Sequence, residues 1–199
     1  SVLGGGVAGL CAARVAAGMG ADVTVFDVDV ARMRYIDEVW GGRIGTRFSS
    51  PLAVREACGE SDVVIGSVLV PGARTPHLVD HEMVLGMVPG SVLVDVAVDQ
   101  GGCFEDSHPT THADPTFVVG GSVFYCVANM PGAVPHTSTY ALTNATMRYV
   151  LLLADEGWRG ACGSRDDLRR GLATCGGKLV SAPVGEALGI ECVPVSEVL

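Results

Sequence analysis

The sequence is poor in charge, and poorest in positive charge. Asp, Glu, Lys and Arg make up 18% of 199 residues, with 13 basic side chains against 22 acidic ones and a formal net charge of −9. Such an acidic chain offers DNA or RNA no electrostatic footprint, which argues against nucleic-acid binding. No apolar run is long enough to cross a bilayer, so no membrane partner is expected. The opening residues have no signal-peptide pattern. Cysteine is present seven times, at 11, 58, 103, 126, 162, 175 and 192, an odd number with no C-x-x-C spacing. That argues against a disulfide framework or a zinc site and for free thiols in a reducing cytoplasm. Internal repeats and low-complexity linkers are also missing. What is left is globular composition, 48% hydrophobic, of a length that suits one well-buried core with an appendage.

The patterning alternates strand and helix. Residues 1–3 read as the tail of a strand, and Val7 to Met19 as an Ala-rich helix closed by Gly20. Strands are expected at Asp22–Asp27, Arg43–Phe48, Asp62–Ser67 and Ser91–Asp95, the later ones nearly all apolar, as strands of a parallel sheet are. Helices are expected at Ala31–Val39, after Ser50-Pro51, and from His77 to Met87. Short strands follow at Thr116–Val119 and Val123–Val127, then a longer helix from about His136 to Glu156 with Ala141, Ala145, Tyr149 and Leu152 along one face. Beyond Trp158 the chain is less regular. This order predicts an α/β fold, a doubly wound parallel sheet of the Rossmann type.

The opening Gly4-x-Gly6-x-x-Gly9 is weak evidence alone, because 27 glycines give accidental matches. Its place between a strand and a helix makes it specific for a dinucleotide. Gly4 permits the tight turn, Gly6 lets the backbone approach a pyrophosphate, and Gly9 lets the helix pack close to the sheet. The free amides of the helix N-terminus then face the phosphate charge. Asp27 ends the second strand, 23 positions after Gly4. A carboxylate there accepts hydrogen bonds from both ribose hydroxyls and repels a 2′-phosphate, favouring NAD over NADP. A strand-end Asp could instead cap the next helix, a place that Asp29 could equally take. Arg32 lies close enough in sequence to reach a 2′-phosphate and soften the discrimination. Because Ser1 falls inside a strand, an upstream segment is expected.

Three further stretches carry more information. They are Val64-Ile-Gly-Ser-Val-Leu-Val-Pro-Gly72, Val94-Asp-Val-Ala-Val-Asp-Gln-Gly-Gly-Cys-Phe104 and Phe124-Tyr-Cys-Val-Ala-Asn-Met-Pro131. With Thr137-Ser-Thr-Tyr-Ala-Leu-Thr-Asn-Ala-Thr146, they closely resemble the bacterial L-alanine dehydrogenases over nearly the whole chain. The related transhydrogenase α subunits share the fold but look different at Asp99-Gln100-Gly101-Gly102. The resemblance implies that residues 1–135 are the NAD domain, and that 136–199 are a linking helix and the C-terminal part of a second, substrate-binding α/β domain. The N-terminal part of that domain, which supplies the family's substrate-binding Arg and Lys and its catalytic His, is not in this sequence. The implied reaction is reversible oxidative deamination of L-alanine to pyruvate and ammonia, in a cytoplasmic homohexamer.

Asp99 sits just past the carboxyl end of the fifth strand, where open α/β sheets bind ligands. The resemblance makes it the catalytic Asp, able to stabilise an iminium and position water. Asp95, four residues earlier, reads as structural. Asn129 and Met130 match the family's loop beside the nicotinamide. By the same resemblance Val7, Ala8, Ser49, Val68, Leu69, Val96, Ala97, Val98, Val127 and Ala128 line the cofactor cleft. His108 departs from the family, whose members carry an Arg there, and holds charge only in part at neutral pH. Leu152 and Glu156 stand where some relatives have a metal-holding Glu and His, so no metal is expected. The pairs His77/His81 and His108/His112 have i, i+4 spacing, but Pro109 argues against a helix at the second and no zinc motif accompanies the first. Two other readings compete with the enzyme: a non-catalytic NAD-binding module, and the NAD(H) domain of a transhydrogenase α subunit.

Overall fold

The structure is a computed structural model that describes residues 1–70 and 75–199. Pro71 and Gly72, which close the 64–72 motif, lie outside the described residues. The described chain falls into two compact units, one of residues 1–70 and 75–130 and the other of residues 131–199.

The first unit is built on seven strands: β1 (Val2–Leu3), β2 (Thr24–Asp27), β3 (Gly45–Phe48), β4 (Val63–Gly66), β5 (Val92–Asp95), β6 (Thr116–Val119) and β7 (Ser122–Tyr125). Their order across the sheet is β3-β2-β1-β4-β5-β7-β6. The neighbours are parallel from β3 to β7, and only β6 runs antiparallel, against β7. That reversal follows from chain length. Gly120-Gly121 alone join β6 to β7, and a two-residue link makes a hairpin but cannot make a parallel crossover.

Side chains alternate across each strand, so neighbouring residues serve opposite faces. Val2, Val25 and Ile65 join one apolar cluster; Leu3, Phe26 and Val64 join the other. The first cluster is covered by Ala13, Ala16 and Ala17 of helix α1 (Val7–Gly18) and by Ile36 and Trp40 of α2 (Val30–Trp40). The second is covered by Val54 and Cys58 of α3 (Pro51–Glu60) and by Met83 and Val84 of α4 (His81–Leu85). Helices on both faces of a parallel sheet, with the order reversing between β1 and β4, give the expected doubly wound fold.

Three of these helices start on a capping side chain. Asp29 accepts the Ala31 and Arg32 amides, Ser50 that of Ala53, and Asp80 that of Met83. Asp29, not Asp27, therefore caps α2. The Asp80 cap also shortens the fourth helix relative to its predicted span of His77–Met87. Leu78 and Val79 are held extended instead, their amides bonded to the Cys103 carbonyl and Val79 bridged to Phe104. The His77/His81 pair is thus not on one helix face. Strand β7 likewise stops at Tyr125, two residues short of its expected end, and beyond it Val127 makes only an isolated bridge with Thr110.

In the second unit, α5 (Pro135–Ser164) is broken at Gly157, whose φ of 68° and ψ of 165° are not helical. The helical run expected to end near Glu156 does end there, and a shorter run follows. Tyr149 and Leu152 are half-buried, whereas Ala141 and Ala145 are exposed. After it come α6 (Asp166–Arg170), the hairpin β8 (Thr174–Cys175) and β9 (Lys178–Leu179), and α7 (Ala182–Leu188).

Helix α1 meets the sheet through Gly9. A Cβ at Gly9 would overlap the Gly4 carbonyl oxygen and Ser67 Oγ, and backbone atoms there have no room to retreat. Gly9→Ala is expected to lower the stability of this chain by about 2–3 kcal/mol, read as a fall in urea midpoint at unchanged m-value.

Candidate dinucleotide site

The glycine turn leaves β1 through Gly4, whose φ of 99° and 3.0 Å approach of a Cβ position to the Ser67 backbone both call for glycine. Ser67 Oγ contacts the Leu3 and Gly4 carbonyls, each at 3.0 Å, and so fixes the turn to the end of β4. Sequence reading missed this serine; its only signal is a small hydroxyl at a strand end facing the turn. At Gly6 a Cβ would meet nothing within 4 Å, so the space beside the turn is open. Gly6 is also the N-cap of α1, and no side chain caps that helix. The amides of Val7, Ala8 and Gly9 thus have no intrahelical partner, which is the arrangement that accepts a phosphate.

Asp27 ties the turn to the end of β2. Its Oδ2 accepts the Gly5 amide at 2.6 Å and its Oδ1 the Asp29 amide at 2.9 Å. A carboxylate has about four acceptor sites, so roughly half its capacity stays available to ribose hydroxyls. Arg32 is aimed at the same place from α2. Its Nε–H donates to the Gly5 carbonyl and its Nη2 lies 3.5 Å from the Gly6 carbonyl, while the guanidinium sits 5.2 Å above the Tyr35 ring. The arginine expected to reach a 2′-phosphate is therefore engaged on the turn itself.

The remaining candidates also lie at the carboxyl ends of parallel strands. Ser49 follows β3, its amide bonded to the Asp27 carbonyl. It borders a recess of about 230 Å³ shared with Ser50, Val54, His77 and Leu78. Val68 and Leu69 follow β4, the first half-buried and the second exposed. Val96, Ala97, Val98 and Asp99 follow β5, where Val98–Gln100 form one turn of 3-10 helix. Ala97 and Val98 are buried and Val96 is partly exposed. Asp99 is exposed, and its carboxylate accepts no hydrogen bond among the described residues.

Beyond β7, Val127 is buried, while Ala128 and Met130 are half-buried. Asn129 is held at φ 56°, the one positive φ outside glycine among the described residues. Asparagine tolerates that conformation better than other side chains do. Its carbonyl accepts a hydrogen bond from His112 Nε2 at 3.2 Å. His112, considered in the sequence only as half of a metal pair, thus braces the loop. His108 stacks on Phe117 with ring centroids 3.8 Å apart. No group of three or more His, Cys, Asp or Glu suited to a metal ion occurs among the described residues. A second recess, of about 460 Å³, lies at the opposite, amino-terminal ends of β1, β2 and β4 and contains none of these residues.

A glycine turn on an uncapped helix, an acid at the next strand end, and open loops gathered along the carboxyl edge of a β3-β2-β1-β4-β5 sheet define a dinucleotide-binding domain. A family model described as "Alanine dehydrogenase/PNT, C-terminal domain" matches residues 1–182, and the chain belongs to that family. It is 58% identical over 198 residues to the alanine dehydrogenase of Mycolicibacterium smegmatis, covering 100% of this chain and 53% of the relative. With the alanine dehydrogenase of Halomonas elongata it shares 54% identity over 199 residues, 100% of this chain and 54% of the relative. A solved L-alanine dehydrogenase superposes with a TM-score of 0.82 at 47% identity, over 94% of this chain and 52% of that one. A transhydrogenase structure from Sinorhizobium meliloti gives 0.59 at 32% identity, over 67% of this chain and 39% of that one. The chain spans about half the length of the curated relatives it matches. Site and family point alike to NAD as the cofactor. Among the described residues no helix is long and apolar enough to cross a membrane.

The loop after β5 is also anchored to α4. His81 Nδ1 meets the Asp106 carboxylate at 2.9 Å, and the His81 amide donates to Glu105. The Asp106 hydrogen bond, then its charge, hold the imidazole above its ordinary value, with smaller help from Glu105 and Asp80. A raised folded pKa contributes stability that is complete below the ordinary imidazole value of 6.5 and is lost as pH rises through the raised one. The denaturation midpoint is therefore expected to decline as pH rises above 6.5, and Asp106→Asn is expected to remove that decline in a pH series of urea titrations.

Proposed function

We propose that this chain is the cofactor-binding half of an NAD-dependent L-alanine dehydrogenase, which reversibly converts L-alanine to pyruvate and ammonia. The observation that carries the reading is Asp99. It is an exposed carboxylate with no bond of its own among the described residues, on the same sheet edge as the glycine turn. The identity to named alanine dehydrogenases over the entire chain supports it. The transhydrogenase alternative has weaker support, from a similarity of lower identity over less of the chain.

In this reading residues 1–135 hold the cofactor. The amides of Val7, Ala8 and Gly9 bind the pyrophosphate, and Asp27 accepts the adenosine ribose hydroxyls. Asp27 also repels a 2′-phosphate, and Arg32, engaged on the turn carbonyls, does little to counter it. Val68, Leu69, Val96, Ala97, Val98, Val127, Ala128 and Met130 line the cleft and exclude water; Ser49 borders it, and the Asn129 amide orients cofactor or substrate oxygen. Bound NAD supplies the hydride acceptor for the alanine Cα. Asp99 stabilises the positive charge of the iminium left behind. It then takes one proton from the attacking water and gives it to the carbinolamine nitrogen; as that nitrogen leaves as ammonia, the hydroxyl proton passes to Asp99 and the carbonyl of pyruvate forms.

Residues 136–199 form the linking helix and part of the substrate domain, whose Arg, Lys and His come from an upstream segment. The first run of α5 exposes Tyr140, Leu142, Met147, Val150 and Leu151, an apolar surface suited to assembly into a homohexamer. A cytoplasmic location fits the seven free cysteines.

In the full-length enzyme, Asp99→Asn is expected to lower kcat by about 10²–10³-fold while the calorimetric Kd for NAD changes by less than about threefold. A parallel loss of turnover and affinity would count against a catalytic role. Asp27→Ala is expected to cut the ratio of kcat/KM for NAD over NADP by about tenfold, the worth of one hydrogen bond to a charged group. If the ratio holds while affinity falls, Asp27 supports the turn but does not read the ribose.

A further inference from the structure

We infer that Asp95, acting with Ser107, is the positioning residue for the loop that carries Asp99; the inference rests on the catalytic role proposed for Asp99. Asp95 ends β5 and is completely buried. Its Oδ1 accepts the Ala97 amide at 3.0 Å. Its Oδ2 accepts the Cys103 amide at 2.8 Å, the Phe104 amide at 3.3 Å and the Ser107 hydroxyl at 2.6 Å. Both ends of the Ala97–Cys103 loop are thus drawn to one carboxylate, and Asp99 lies between them.

A buried carboxylate without donors is strongly unfavourable, so these four bonds and the path of the loop require one another. The fit is close. A Cβ on Gly102, where φ is 80°, would come within 2.8 Å of Asp95 Oδ2 and 2.9 Å of Ser107 Cβ. Inside the loop, the Gly102 amide closes on the Ala97 carbonyl at 3.1 Å and the Gly101 amide on that of Val98 at 3.1 Å. From outside, the Thr75 amide holds the Gln100 carbonyl at 2.9 Å and His77 Nε2 the Gly101 carbonyl at 3.3 Å. The Ser107 hydroxyl in turn receives Cys126 Sγ at 3.7 Å, just before the Val127–Met130 loop. One buried carboxylate therefore sets the loop after β5 and is linked to the loop after β7. Asp99 lies within the stretch of backbone that Asp95 holds at both ends.

The test uses the full-length enzyme with Ser107→Ala, Asp95→Asn and Asp99→Asn. Ser107→Ala removes one of the four bonds, and a small displacement of a reacting group is costly, so kcat is expected to fall about tenfold. KM for NAD is expected to stay within about twofold, because the glycine turn and Asp27, proposed to hold the pyrophosphate and the ribose, lie at other strand ends. Asp95→Asn, which leaves one acceptor oxygen in place of two, is expected to act in the same sense and more strongly. In the Asp99→Asn background Ser107→Ala is expected to leave the residual turnover unchanged, since it acts through Asp99. If Asp95→Asn does not fold, Ser107→Ala, the loss of a single hydroxyl, carries the test. Unchanged turnover in the folded Ser107→Ala protein, a proportional change of kcat and KM, or a full additional loss in the Asp99→Asn background would each overturn the inference. Where Asp99→Asn alone is harmful and Ser107→Ala is not, only the positioning role falls. Where Asp99→Asn alone is harmless, the catalytic reading falls and this inference with it.

Discussion

The first unit depends on the approach of one helix to one strand end. The backbone of α1 at Gly9 lies directly against the Gly4 carbonyl and Ser67 Oγ, with no space for even a methyl group. That contact places the first turn of α1 over the carboxyl end of β1, at the point where the sheet order reverses. The helix has no capping side chain there. Its amides thus remain for an anion, in a position fixed by backbone packing rather than by flexible groups.

Two carboxylates extend this arrangement along the sheet edge in different ways. Asp27 is partly exposed and shares its oxygens between two local amides and the open side of the turn. Asp95 is wholly enclosed and has all its bonds inside the protein. The first is suited to meeting a ligand, the second to shaping a loop. Asp99 differs from both because it is exposed and unbonded among the described residues. The three acids lie on one edge of one sheet, and their environments alone separate the roles assigned to them.

Much of this was legible in the sequence, and the reason is local. Glycine spacing, the Pro51 start of α3 after its Ser50 cap, and the apolar strands each express a backbone requirement within a few residues. The seven strands of the main sheet were legible, with ends displaced by at most two positions, because cross-strand pairing and not local composition sets a strand's end; the short hairpin of β8 and β9 was not. The helix expected from His77 was four residues late because Leu78 and Val79 bond to Cys103, some 25 positions away. No periodicity in the chain records that pairing. Ser67, Ser107 and His112 were passed over for the same reason: each has its partner in a distant segment.

By itself, the sequence determined the doubly wound fold, the dinucleotide turn, the acid at the end of β2 and the place of Asp99 after β5, since short-range chemistry specifies each of them. The glycine turn belongs to a family member that spans about half the length of its relatives. Tertiary structure decided the rest. It assigned the α2 cap to Asp29, turned Arg32 onto the turn carbonyls, reversed β6, and made Asp95 the buried centre of the loop that carries Asp99. Those outcomes depend on which groups meet across the folded sheet edge, and a hydrogen bond between residues far apart in the chain leaves no spacing by which to read it.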